Sequence, residues 1–247
     1  MRARRFGTAP ADLDVAFGEA QPELATAILA RCAIDDAGEP VAPDAAWRWS
    51  VADRLQALLA ILAASHGPAL DALCACGDPA CGAAIALELP LASLVRRAPP
   101  HVEWRDAGNR VLRARMPSGE DLRAWRGHLD DPAWMAARLL ASIDGATPQA
   151  PWHPTQADVD ALDAELEAAD PLTALTVPVR CPECGADTPV ALDLERLALE
   201  ALHRRQRTAL DDVHRLALAY HWAEADILAL PEARRRAYLA RLDGETA

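Results

Sequence analysis

The sequence predicts an α+β protein, mainly helical, with short antiparallel strands around a pair of cysteine knuckles and a helical C-terminal segment. Three observations predict it. Apolar residues recur at helical spacing in segments that open on Ser/Thr-x-x-Asp capping boxes. Shorter stretches alternate apolar and polar residues with period two. From about residue 194 onward the pattern is helical throughout. At 247 residues and 51% hydrophobic, the chain can bury a core without disulfides.

The first helix is read over 22–33, "PELATAILARCA", with Pro22 at its first position. A polar connection rich in Pro and Gly, "IDDAGEPVAPD", follows. The segment "SVADRLQALLAILAASHG" opens on a capping box of Ser50 and Asp53. It places Val51, Leu55, Leu58, Leu59 and Leu62 on one face, and His66–Gly67 with Pro68 close it. In "AIALELP", Ile85, Leu87 and Leu89 alternate as on a half-buried strand. "HVEWRDAGNRVLRARMP" reads as a hairpin turning at Asp106–Asn109.

A second capping box, Ser118 and Asp121, opens "SGEDLRAW", and "DPAWMAARLLASI" predicts another helix. Residues 145–154 read as loop. The third box, Thr155 and Asp158, starts a helix with Val159, Leu162 and Leu166 on one face. Two short strands flank "RCPECG", where Pro178 and Pro189 point to edge or irregular pairing. Then come a long helix to about 221, a short one at 223–229 and a last one from Pro231 to about 242.

Charge narrows the function classes. There are 25 basic residues, all Arg, against 37 acidic ones, for a formal charge of −12. Phosphate affinity comes from clustered positive charge, so broad nucleic-acid binding is disfavoured. No run of about 18 apolar residues predicts a membrane span, and the start has no apolar core of signal-peptide length. A reducing cytoplasm is the expected setting, where cysteines serve better as metal ligands than as disulfides.

Four of the six cysteines form two knuckles. Cys181 and Cys184 are separated by two residues and followed by Gly185. Cys76 and Cys81 are separated by four and followed by Gly82. Both spacings suit half of a structural zinc site, so the four predict one Zn(II) joining regions about 100 residues apart. Closing such a loop costs roughly 4 kcal/mol, whereas a structural zinc contributes on the order of 10–16 kcal/mol. Cys74 is an alternative to Cys76 with poorer spacing, and Cys32 reads as a small buried hydrophobe. Four thiolates leave no open position for a catalytic water, so the site is expected to staple the fold, and no enzymatic activity is expected. His101 and Glu103 with "CPEC" match the H-x-E…P-C-x-x-C deaminase pattern poorly, because Arg180 precedes Cys181. There is no phosphate-binding Gly-rich loop, nucleophile elbow or H-E-x-x-H.

The terminal helices allow two readings. Three helices with a short middle one could form a helix-turn-helix, making the chain a zinc-containing DNA-binding regulator. Alternatively they dock on a partner protein. The order V-H-x-L-A-x-x-Y-H-W-x-E-x-x-I-L-x-L-P-x-x-x-R-R-x-Y-L at 213–239 resembles the C-terminal signature of the baseplate hub assembly chaperone family of contractile-tail phages and related bacterial contractile injection systems. "LARC" at 29–32, C-x4-C-G, R-x-P-x-G-E-D-L at 115–122 and "CPECG" follow in similar order. Ala223 stands where a Ser or Thr N-cap is expected. The resemblance implies a non-enzymatic chaperone or structural component of a tail baseplate, with hub or baseplate proteins as partners. Trp222, Arg234, Arg235, Arg236 and Tyr238 are the candidate contacts, since Trp, Tyr and Arg dominate interface hot spots. The expected organisation is an N-terminal helical segment, 1–44, and a zinc-stapled α+β domain, 45–247, ending in a helical subdomain from about 194.

Overall fold

The computed structural model of the chain describes residues 2–35 and 37–244. Met1, Asp36 and the last three residues of the expected C-terminal subdomain lie outside that range. The described residues form ten α-helices and nine short strands, all paired antiparallel.

The main core gathers around three helices. These are α2 (Gln21–Cys32), α4 (Val51–His66) and the N-terminal half of α8 (Leu194–Tyr220). Ile28 and Leu29 of α2, Leu58, Ile61 and Leu62 of α4, and Leu194, Ala198 and Leu202 of α8 are fully or almost fully buried together. Strand β1 (Arg2–Ala3) pairs with β2 (Ala33–Ile34), and the short helices α1 (Pro10–Leu13) and α3 (Pro43–Arg48) pack at the edge. Phe6, Val15, Ile28 and Leu29, within the expected N-terminal segment, therefore contribute to the same core as α4 and α8. Helix α4 starts at Ser50, whose hydroxyl accepts from the Asp53 amide, and ends at Gly67.

Two hairpins project from this core. Strands β3 (Ala69–Ala75) and β4 (Ala84–Pro90) pair along seven residues. Strands β8 (Thr176–Arg180) and β9 (Asp187–Ala191) pair along five, with Pro178 directly opposite Pro189. Neither Pro donates to the ladder, which a two-stranded ribbon with both edges free can accommodate. Strand β3 was not expected. Its sequence, "ALDALCA", has no β-branched residue, and the pairing with β4 overrides its weak propensity.

A second core lies under a three-stranded sheet of β5 (His101–Arg105), β6 (Val111–Arg115) and β7 (Leu140–Ile143). It packs Trp104, Leu112 and Leu139 against Leu162 of α7 (Gln156–Ala169). The helix expected through "LLASI" is shorter: α6 spans Pro132–Leu139, and the backbone turns extended at Leu140 to pair with β6. The capping boxes at Ser118 for α5 (Gly119–Trp125) and at Thr155 for α7 are fully formed. The C-terminal part of α8 extends beyond the main core and carries α9 (Glu224–Ala229) and α10 (Glu232–Leu242), which close a small cluster of Leu216, Ile227 and Leu239. Among the described residues, no helix is long and apolar enough to cross a membrane.

Candidate metal centre

The two hairpins bring the four knuckle cysteines together. Cys76 lies just beyond the end of β3 and Cys81 in the turn before β4. Cys181 and Cys184 occupy the turn between β8 and β9. All four Sγ atoms lie within 4.8 Å of one another. Cys76 Sγ is 3.6 Å from Cys184 Sγ, and Cys81 Sγ is 3.9 Å from Cys181 Sγ. Four sulfurs held about 2.3 Å from one tetrahedral ion are about 3.8 Å apart. Both of these contacts run between hairpins, so an ion here would join the two.

Local backbone geometry builds each knuckle. The Cys76 amide donates to Ala83 O at 2.8 Å, and the Cys181 amide to Ala186 O at 2.9 Å. The Gly82 amide returns to Asp78 O and the Gly185 amide to Cys181 O, both at 3.0 Å. Gly82 (φ 58°) and Gly185 (φ 75°) adopt left-handed conformations that Gly reaches without steric cost. This is the physical content of the Gly after each knuckle.

The thiols are electrostatically unequal. Cys181 is buried, yet the amides of Cys184 and Glu183 and the neighbouring thiols hold it down to about 7, against the opposing effect of burial. Cys76 accepts from the Asp78 amide, which lowers it, but burial and its contacts with the other three thiols push it up to about 12. Cys81 is also raised: the Ala83 amide favours its thiolate, while burial and thiol hydrogen bonds to Cys184 and Cys181 outweigh that. A tight group of thiols disfavours several negative charges at once, and a cation at its centre would reverse that balance. The all-sulfur donor set, the edge lengths and the inward backbone turns are compatible with a metal site.

The other two cysteines stay apart. Cys74 does not take the place of Cys76; its Sγ lies 3.6 Å from Ile85 O across the β3–β4 ladder. Cys32 is fully buried in the main core, where burial pushes its thiol up to about 12. One participant was not anticipated: Thr188 of β9, whose hydroxyl accepts from the Gly77 amide at 3.0 Å and locks one knuckle onto the opposite hairpin.

The candidate contact residues at the C-terminus divide. Trp222 stacks on Tyr220 with centroids 4.8 Å apart and meets Tyr238 edge-on at 4.9 Å, so both candidates belong to a half-buried aromatic cluster. Arg234 and Arg236 are exposed. Arg235 is not a surface residue: it is 2% exposed and pairs with Asp212 of α8 at 3.0 Å. A helix turns about 100° per residue, so three consecutive arginines cannot share one face. As anticipated, α9 starts at Ala223 without a side-chain cap.

No family model, curated protein or solved structure matches this chain.

Proposed function

We propose that the protein is a non-enzymatic assembly chaperone or structural component of the baseplate of a contractile phage tail or injection system, acting by docking on a hub or baseplate subunit. The observation that carries this reading is the residue order at 213–239, which spans one three-helix unit with its aromatic side chains drawn together at the α8–α9 bend. Support also comes from the four-cysteine cluster, which we read as one structural Zn(II) with all four positions filled by sulfur. Such a site offers no water to activate and stiffens the body that presents the terminal helices.

Trp222 and Tyr238 are half-buried, and Arg234 and Arg236 are exposed on α10. Burial of Arg235 thins the basic face that groove-reading would need, and Glu232 draws in Arg236. Protein docking is therefore favoured over DNA recognition. Co-expression with contractile-tail hub and baseplate subunits tests this. A stoichiometric complex that survives size exclusion, and is weakened by combined Arg234→Glu and Arg236→Glu, is expected. Absence of any complex, with a steeply salt-dependent shift of duplex DNA, would overturn the reading in favour of a DNA-binding regulator.

A further inference from the structure

A second charged site lies where the N-terminal stretch meets the terminal helices. Arg5, Thr8, Arg205 and Arg235, together with residues 228–232, line a cavity of about 240 Å³. Two of its guanidinium groups are incompletely partnered. Arg235 is 2% exposed, its Nε faces Asp212 without a well-directed hydrogen bond, and its Nη1 has no partner. Arg205 pairs Nη1 with Glu232 at 3.3 Å but leaves its buried Nε unpartnered. Buried donors are nearly always satisfied in native proteins, and an exception calls for a water or an ion.

The local charge has a definite sign. Glu232 is approached by Arg5, Arg205 and Arg236. Burial would raise its carboxyl, but these guanidinium groups hold it down to about 2. Asp212 is the other carboxylate in the network, bound to Arg235. The three lining arginines, Arg5, Arg205 and Arg235, against Glu232 and Asp212 leave an excess of one positive charge, within a chain whose formal charge is −12. The lining also includes Pro231 and Glu232 at the N-terminal end of α10, where the helix dipole is positive.

Guanidinium forks match oxyanions through paired N–H donors. A phosphoryl group carries about −1.5 to −2 charge at neutral pH and three strong acceptor oxygens, which complements the positive charge of the lining arginines. We propose that this cavity binds a phosphate-class oxyanion, either free phosphate or a small phosphomonoester, held by Arg205 and Arg235 with Arg5 closing the outer lip. The side chain of Arg5 is 45% exposed, so it can move as the anion enters. The proposal does not depend on the baseplate reading, and neither fails with the other.

Titration calorimetry of the full chain with inorganic phosphate, at constant ionic strength and with acetate as the control anion, tests it. Saturable phosphate binding without acetate binding is expected, and Arg205→Gln and Arg5→Gln should each weaken it by about tenfold or more. Arg234→Gln, outside the cavity, should leave it unchanged. Arg235→Gln should abolish binding; if that variant does not fold, Arg5→Gln at the exposed lip decides. Phenyl phosphate binding as tightly as phosphate would point to an ester as the ligand, and much weaker binding to the free ion. Failure to saturate by on the order of 10 mM phosphate, or equal affinity in Arg5→Gln and Arg205→Gln, would overturn the proposal.

Discussion

Thr188 accepts a hydrogen bond from the Gly77 amide at 3.0 Å, linking two hairpins 111 residues apart in the chain. The contact is close enough to exclude a side chain at position 77. A Cβ there would lie 2.7 Å from Thr188 Cγ2 and 3.1 Å from its Oγ1. Both belong to a short β-branched side chain with little freedom to retreat.

Gly77→Ala should therefore destabilise the protein by about 1–3 kcal/mol, in the range of overpacking substitutions. Thr188→Ser removes the offending methyl while keeping the hydroxyl. The double variant should recover much of the loss. Denaturant titration of the two single variants and the double variant checks this, and additive losses would show that the hairpins do not meet as described.

Asp121 links acid sensitivity to a helix cap. Its carboxylate is 1% exposed and accepts from Ser118 N at 2.9 Å, Ser118 Oγ at 2.8 Å and Arg115 Nη2 at 2.8 Å. Burial alone would raise its pKa, but these donors bring it below the ordinary 3.8. The folded state therefore binds this proton more weakly than the unfolded state. Its stabilisation is complete above about pH 4 and is lost as the pH falls through the depressed folded value. Asp121→Asn should cost roughly 2–3 kcal/mol at neutral pH and flatten the acid limb of the stability curve. Chemical denaturation from pH 7 to pH 3 measures both effects.

Glu195 should behave oppositely. Burial pushes its carboxyl up to about 7, reinforced by Asp193 and opposed by Arg54. The folded state then binds a proton that the unfolded state has released above about 4.5. Stability contributed by this group is present at low pH and declines as the pH rises from about 4.5 to 7. Glu195→Gln should raise the melting temperature at pH 8 and leave it nearly unchanged at pH 4.5. An equal change at both values would contradict the assignment.

Legibility from sequence tracked how local the determining interaction is. The boxes at Ser118–Asp121 and Thr155–Asp158, the Gly67 stop and the turn at Asp106–Asn109 are set within a few residues, and each appears where the sequence places it. The cysteine pairs were legible for the same reason, because Gly82 and Gly185 mark the turns. Strand β3 and the helix-to-strand change at Leu140 were not, since partners far along the chain impose them: Leu87 faces Ala72, and Ala114 faces Leu140. Thr188 carries no local signal at all. Its role exists only once the hairpins are side by side. The burial of Arg235 does have a local signal, because its spacing of four from Leu239 places it on the inward side of α10.

Removing one thiolate should separate metal ligands from bystanders. Cys181→Ser should lower metal content sharply and reduce the melting temperature by on the order of 10 °C. Cys74→Ser and Cys32→Ser should retain the metal, because neither sulfur belongs to the cluster.

The most direct measurement is elemental analysis of the purified, folded chain combined with X-ray absorption at the metal edge. About one zinc per chain, surrounded by four sulfurs near 2.3 Å, is the expected result. A folded, metal-free protein purified from zinc-replete medium, or a bound zinc whose shell includes nitrogen, oxygen or water, would contradict it.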